Sequence, residues 1–576
     1  PDDIKAEVLA SAQSGAFVSD IDKHRWSLLN GEFQIAAAAA AQLHNEGTHD
    51  FLQYFSDGVV QPLGQYAFFD VQHFFCAVLP SLDAPATEVV RLVMTMVRKA
   101  GANGVAGQPY FALREWASRN PQRPTAILAE MIDDAKVDFG AVSVALQAGA
   151  MLDKEHYVEL AIAIMSDRVA LRRRAAMSAL GKFDLSTSPA LRDQALNALA
   201  ALCAPGADDA ECATALGSIV EIFAREPSVL AGRVEPLVRA AGNGPHTLHS
   251  LADALFIHRK VLTEAMIDAV LEALRGVPAA NTGTVQEIDM ALSSMPYPAN
   301  RERVARFLEA VALRSTDTIP VERFEHLTGN LLTEHMDTFI WLAIRWLRLG
   351  RFALCQALSA IIQHTGSDSV ALTADLSAFT DKERVFIARK AVGFFPLQPY
   401  AAASVIVSAM RGASKETATT LSDLLFEMVL LNYSGARDRV AALAKQPTDP
   451  AAKYVKKALK LHDDYVKGLD AAQKMPELHP SERQRRAAFD RQRAVSAQIF
   501  KHARERSILA SIMHNVTVLY GHKTVDYVDT GDGELRRVES NMQPHGTTWE
   551  WPRLDTVDPT GFQFRIHLLR TERFSE

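Results

Sequence analysis

At 576 residues, with 48% hydrophobic and 22% charged residues, the chain is long enough for several cores and is not disordered by composition. Sixty-one Lys/Arg stand against 68 Asp/Glu, a formal charge of −7, which argues against a surface coated all over with nucleic acid and leaves room for a local basic patch. The four cysteines, Cys76, Cys203, Cys212 and Cys355, form no CxxC pair, so neither a zinc ribbon nor a redox dithiol is encoded and free core thiols in a reducing cytosol are expected.

Residues 1–150 read as an N-terminal helical region. The first fifteen are acidic and helical rather than basic then apolar, so no signal peptide is expected and the chain reads as cytoplasmic. Glu32 to Asn45 carries six consecutive alanines, Ala36 to Ala41, which leave little side chain on either face and predict a neighbouring helix lying very near. Tyr66 to Phe75 holds five aromatic rings and a histidine; such a cluster reads as core before it reads as a base-stacking platform. Val97 to Tyr110 has glycines at 101, 104 and 107 but lacks the Gly-Lys-Ser/Thr of a phosphate loop, so it reads as a connection between helices.

Residues 151–446 repeat one phrase. Ser166 to Leu202 reads as two helices joined by a polar turn, in which Leu171-Arg172 is followed by Ala175 and, twenty positions on, Leu191-Arg192 by Ala195. Leu180-Gly181 is expected to end the first helix, with Gly181 in the left-handed conformation. With Asp167 in the turn ahead of Leu171-Arg172 and Ala175, the stretch resembles the HEAT-type α-helical repeat. The resemblance implies an α-solenoid in which Arg172 is tied to turn acids near Asp167, leaving Arg173 and Arg174 for the surface. Punctuation every fifteen to twenty residues, at Asn120-Pro121, Pro189, Pro205-Gly206, Pro227, Pro245 and Gly276-Val277-Pro278, fits stacked helical hairpins. Asp381 to Gly393 partly echoes the phrase, with Arg384 in the place of Arg172 and Glu383 replacing the aliphatic partner. The apolar stretch Thr338 to Gln363 is interrupted by Arg345, Arg348 and Arg351, and so reads as two soluble helices rather than a membrane span.

Residues 447–514 change character. From Lys453 to Arg506 there are fourteen Lys/Arg and seven Asp/Glu, so this arm carries +7 and the rest of the chain −14. Lys453 to Lys467 reads as a basic amphipathic helix, and Ser481 to His514 as one long helix with Ser481 at its start. Residues 515–576 read as a small β-containing unit: Val516 to Tyr520, Thr524 to Val528 and Leu535 to Val538 as strands around the turn Thr530-Gly531-Asp532-Gly533, and Phe562 to Leu568 as a half-buried strand by its period-two alternation. The expected fold is therefore mainly α: a HEAT-like solenoid, a long C-terminal basic helix and a small C-terminal β unit.

Tests for chemistry yield little. His246, His249 and Asp253 share a helical face, but no fourth metal ligand and no HExxH motif accompany them. Glu325-His326 and Glu334-His335 give no reason to prefer ligation. Asp529, Asp532 and Glu534 miss the oxygen spacing of a calcium loop, and Lys523, Asp526 and Asp529 only faintly echo a nuclease cluster. No nucleophile motif occurs, so no catalytic residue, metal or cofactor is assigned. The functional lead is the basic helix, with Arg483, Arg485, Arg486, Arg491, Arg493, Lys501, Arg504 and Arg506 as candidate nucleic-acid contacts and Phe489 and Phe500 expected on the opposite, buried face. Three readings stay open: the helix is solvated or docks on the chain's own acidic body, it binds DNA or RNA, or it binds an acidic protein. The function expected is a non-enzymatic scaffold or adaptor holding partner proteins, with a nucleic-acid-binding subunit as the alternative and an enzyme with a dispersed site as a third class. A large degenerate solenoid suits a multi-gene setting such as bacterial antiviral defence, although no residue argues for it.

Overall fold

The computed structural model describes residues 2–26, 31–101, 107–132, 137–204, 206–364, 370–446, 448–472, 480–506, 523–529, 535–541 and 551–574. They divide into two compact units, residues 1–296 with 315–319, and residues 297–314 with 320–576.

The first unit is built of α1 (Asp2–Gln13), α2 (Phe17–Asp22), α3 (Glu32–Asn45), α4 (Asp57–Val60), α5 (Gln65–Val78), α6 (Ala86–Ala100), α7 (Gln108–Ser118), α8 (Gln122–Glu130), α9 (Phe139–Leu152), α10 (Lys154–Ile164), α11 (Ala170–Lys182), α12 (Pro189–Ala201), α13 (Asp209–Arg225), α14 (Pro227–Arg239), α15 (Pro245–Ile257), α16 (Glu264–Leu274) and α17 (Thr282–Ser293). The odd-numbered helices from α1 to α17 form a ladder in which each packs on the next, and even-numbered helices such as α6 on α8 and α14 on α16 form a second layer. This is the architecture of a HEAT-like helical-repeat protein.

Local chemistry sets the helix starts. Pro189, Pro227 and Pro245 each stand at the first helical position, where a missing N–H costs nothing. Asp138, Asp153, Asp208 and Thr263 accept a backbone N–H from the first turn of α9, α10, α13 and α16. Small residues set the ladder's spacing. Of the six-alanine run in α3, Ala36, Ala37, Ala39, Ala40 and Ala41 are buried, and α1 and α5 pack against it. Gly181 differs from expectation. It lies inside α11, and a Cβ there would sit 2.7 Å from the Ser218 Cα on α13. The glycine lets two helices touch, and Phe183, beyond Lys182, ends the helix. Three of the five rings of Tyr66 to Phe75 are core: Phe74 packs edge-on to Phe17 and Phe33, and Phe68, Phe74 and Phe75 are buried, whereas Phe69 is half-buried and Tyr66, at the start of α5, is exposed.

Arginines tie successive helices together. Arg172 donates through Nε to Met131 O at 3.0 Å, also reaches Ile132 O just past α8, and pairs with Asp167 at 3.3 Å. The Val169 amide, then the Arg172 guanidinium, hold the Asp167 carboxyl below its ordinary range. Arg225 donates to Gly181 O at 2.7 Å and Phe183 O at 3.0 Å, covering carbonyls that the end of α11 leaves open. Arg173, expected at the surface, instead reaches Glu211 on α13 at 2.8 Å and Asp167 O at 2.8 Å, because α13 packs against α11 on that side.

The second unit comprises α18 (Arg301–Ala312), α19 (Glu325–Thr333), α20 (Met336–Leu349), α21 (Phe352–His364), α22 (Asp381–Phe394), α23 (Pro399–Met410), α24 (Lys415–Leu424) with a following π turn (Leu425–Leu430), α25 (Ala436–Leu443), α26 (Ala452–Ala472), α27 (Glu482–Arg506), β1 (Lys523–Asp529), β2 (Leu535–Asn541), α28 (Arg553–Val557) and α29 (Pro559–Thr571). The apolar stretch at 338–363 forms α20 and α21, separated at Gly350, whose φ of 61° no branched residue adopts readily. Among the described residues no helix is long and apolar enough to cross a membrane. Arg384 on α22 is buried and donates to the carbonyls of Leu376, Phe379, Arg411 and Ser377 at 3.0 to 3.2 Å. Its neighbour Glu383 completes a capping box with Thr380 and pairs with Arg348.

The strands β1 and β2 pair antiparallel from Lys523↔Asn541 to Asp529↔Leu535. Val516 to Tyr520, the turn residues Thr530 to Gly533, and Glu534 lie outside the described residues. The expected strand at Phe562 to Leu568 is a helix, α29. Asp558 caps it through the Gly561 N–H, Pro559 opens it, and it buries Phe562 and Ile566, one turn apart, while Phe564 and Leu568 stay exposed.

Candidate functional site

The basic helix α27 begins at a reciprocal cap. The Ser481 N–H donates to Gln484 Oε1 at 2.8 Å, and the Gln484 N–H donates to Ser481 Oγ at 3.3 Å. Every described side chain from Glu482 to Lys501 is exposed except Ala488, Val495 and Ser496, which are half-buried. Ala488, Arg491 and Val495, spaced three and four, share a face. On that face Arg491 Nη1 donates to Asp555 O of α28 at 3.4 Å.

Arg486, Phe489 and Arg493, also spaced three and four, occupy a different and roughly opposite face, and Phe500 follows two turns later. Phe489 is 63% exposed and Phe500 74% exposed. The expectation that these rings mark the buried side is therefore wrong. Eleven residues make about three turns, so the spacing puts both rings beside Arg486 and Arg493 rather than across the helix from them. Arg483, Arg485, Arg486 and Arg493 are exposed, and among the described residues none of them meets a carboxylate or carbonyl. Lys501 is exposed on the same helix, while Arg504 and Arg506 fall in its last turns, where side chains are not described.

The preceding helix α26 seats the arm. It buries Ala452, Val455, Ala458 and His462, and its outer residues include Lys456 and Lys460. Lys457 pairs with Asp423 at 2.8 Å, and Arg437 grips Asp463 at 2.7 Å, holding that carboxyl down at about 2.

Beyond the β ribbon the chain returns to the same unit. The Arg553 and Leu554 amides donate to Asn432 O at 3.0 Å and Asn432 Oδ1 at 2.9 Å. Helix α29 packs on α22. Lys390 Nζ donates to Arg570 O at 2.6 Å, Arg570 Nε donates to Gly393 O at 2.6 Å, and Arg389 pairs with Glu572 at 2.9 Å. Phe574 stacks edge-on to Phe386. Lys390 is buried, and burial holds its ammonium below the usual lysine range. Asp555, also buried, accepts from Trp551 Nε1 and Gln563 Nε2 at 2.7 Å, which fixes the turn that carries the Arg491 contact. The arm is thus held at both ends by the second unit.

The other candidates resolve into structure. The His246 N–H donates to Asp209 Oδ2 at 2.8 Å, and His249 Nδ1 lies 3.2 Å from Glu287 Oε2. Among the described residues no group of three His, Cys, Asp or Glu side chains is arranged to hold a metal. His335 packs its ring on Tyr297. Burial pushes the Cys76, Cys203 and Cys355 thiols up to about 12, so they stay protonated at neutral pH. A cleft of about 820 Å³ is lined by Trp341, Arg345, Arg348, Asp375, Glu383 and Phe574 among others. Its arginines are already matched: Arg345 with Glu309 and Glu302, Arg348 with Glu383. Hydrogen bonds from Ser377 and from the Thr380 amide hold Asp375 and Glu383 below the ordinary carboxylate range, the wrong direction for a general acid at neutral pH.

No protein-family model matches the chain, and no curated protein matches it in sequence. It is similar in structure to karyopherins. Kap121p bound to Pho4p aligns with 10% identity and a TM-score of 0.29 over 81% of this chain and 61% of that one. Kap121p bound to the extreme C-terminus of the protein phosphatase Cdc14p aligns with 9% identity and a TM-score of 0.29 over 82% and 62%. The chain spans about three fifths of the length of those proteins. The repeat architecture described above rests on the helix ladder and its arginine ties.

Proposed function

We propose that this chain is a non-enzymatic helical-repeat scaffold that holds an acidic macromolecular partner on α27. The observation that supports this reading is the set Arg483, Arg485, Arg486 and Arg493, exposed and unmatched by any described acid on a chain whose remainder is strongly acidic. By contrast Arg172, Arg173, Arg345 and Arg384 each reach carbonyls or carboxylates. A row of unmatched guanidinium groups attracts a polyanion and releases its counterions on contact. Lys501, Arg504 and Arg506 extend the same helix, whereas Arg491 lies on its seated face and donates to Asp555 O.

The test uses a labelled heparin oligosaccharide as a generic polyanion and the full chain. Binding is expected to weaken steeply as salt rises, and Arg485→Glu with Arg486→Glu and Arg493→Glu is expected to abolish it. Unchanged binding in that triple variant removes α27 from the function. Nucleic acid is a second reading, favoured by the two exposed phenylalanines that flank the arginines.

A further inference from the structure

We infer that α27 takes single-stranded nucleic acid, with Phe489 and Phe500 as stacking platforms beside Arg486 and Arg493; this rests on the reading of α27 as the polyanion surface. The four residues lie along one side of the helix, and the stripe from Arg486 to Phe500 is about 21 Å long. Its composition is the argument. Arginines alone would serve any polyanion. Two phenylalanines left 63% and 74% exposed beside them suit a ligand that offers a flat apolar face next to each negative charge. Each nucleotide of a single strand supplies that pair, one phosphate and one base face open for stacking. A duplex keeps its base faces inside the stack, and heparin has none.

Orientation supports the same occupant. The face of α27 that carries Ala488, Arg491 and Val495 is directed toward Asp555 on α28, which is itself anchored by Asn432 and Trp551. That leaves the Arg/Phe stripe on the side away from its seat. Stacking is tolerant of sequence because every base has a π-face, so the expected binding is strong in salt dependence and weak in sequence preference.

The experiment measures anisotropy of labelled dT20, U20, a 20-base-pair duplex and the heparin oligosaccharide, each with the full chain. Both single strands are expected to bind more tightly than the duplex, and a difference between dT20 and U20 assigns the natural ligand to DNA or RNA. Phe489→Ala with Phe500→Ala is expected to weaken single-strand binding about tenfold for each ring removed and to leave heparin binding unchanged. Phe489→Tyr with Phe500→Tyr is expected to keep it, since the π-face remains. Both rings are exposed, so an unfolding midpoint equal to that of the parent chain verifies that the variants fold. Heparin binding without single-strand binding, or single-strand binding indifferent to the alanine pair, overturns this inference and leaves the polyanion surface standing. Loss of heparin and single-strand binding alike in the parent chain overturns both.

Discussion

Arg384 on α22 and Arg493 on α27 belong to the same unit and carry the same planar fork of donors. Arg384 is 4% exposed, with Nε and both terminal nitrogens on backbone carbonyls. Arg493 is exposed, and none of its donors meets a described acceptor. The difference lies in what surrounds each position. A loop and the end of α23 converge on α22 with open carbonyls, and only a delocalised, rigid cation can reach several at once. The described elements bring such a group to Arg491 of α27 and none to Arg493. The comparison teaches that arginine count is uninformative in this chain until each guanidinium has been followed to its partner.

Substitutions can break that comparison at its strong end. Arg384→Ala takes the guanidinium donors from the carbonyls of Leu376, Ser377, Phe379 and Arg411 and is expected to cost about 3 kcal/mol in urea unfolding of the second unit. A loss below about 1 kcal/mol would mean that water replaces the guanidinium easily and that the tie is dispensable. Gly181→Ala tests the other device of the ladder. Its Cβ would meet the Ser218 backbone, which cannot swing aside as a flexible side chain would. We expect a cost of about 1–3 kcal/mol, read from the unfolding of the first unit, and a neutral result would show that α11 and α13 can separate slightly without penalty.

Asp253 on α15 gives a smaller, pH-dependent effect. Burial raises its carboxyl above the ordinary value of 3.8, with His249 and His258 opposing that rise and Glu221 adding to it. A raised pKa in the folded chain means that folding favours the protonated acid. Its contribution is fully present below the unfolded value and is lost as pH rises through the raised one. Asp253→Asn keeps a neutral side chain there, so its stability relative to the parent is expected to grow as pH rises from the ordinary aspartate value of 3.8 through the raised one. A difference that is flat with pH contradicts this. At the weak end, Arg493→Ala is expected to change stability by less than about 0.5 kcal/mol, because nothing described depends on it for folding. A larger loss would show that Arg493 is structural and would collapse the contrast with Arg384.

The HEAT phrase is legible because its residues are local: Asp167 and Arg172 are five apart and meet across one turn. Arg173 misleads because its partner, Glu211, is 38 residues away on another helix. Gly181 misleads for a different reason. A glycine near a helix end looks the same whether it turns the chain or admits a neighbour, and only α13 decides between them. Phe562 to Leu568 alternates as a strand would, but Asp558, Pro559 and the pair Phe562 and Ile566 also satisfy a helix, and the face offered by α22 selects it. The placement of Phe489 and Phe500 is within reach of the sequence, since their spacing from Arg493 already puts them on its side. Their exposure is not, because it depends on where α28 lies.

The return of α29 to α22 also orders events during synthesis. Lys390 waits for the carbonyl of Arg570, 180 residues later in the chain. At about 5–20 residues per second, α22 spends on the order of ten seconds or more outside the ribosome without its cover. A buried lysine and the rings of Phe386 and Phe394 are then open to water, or to a chaperone, until the arm has been made. The arm is thus an insertion that translation must complete before the second unit can close.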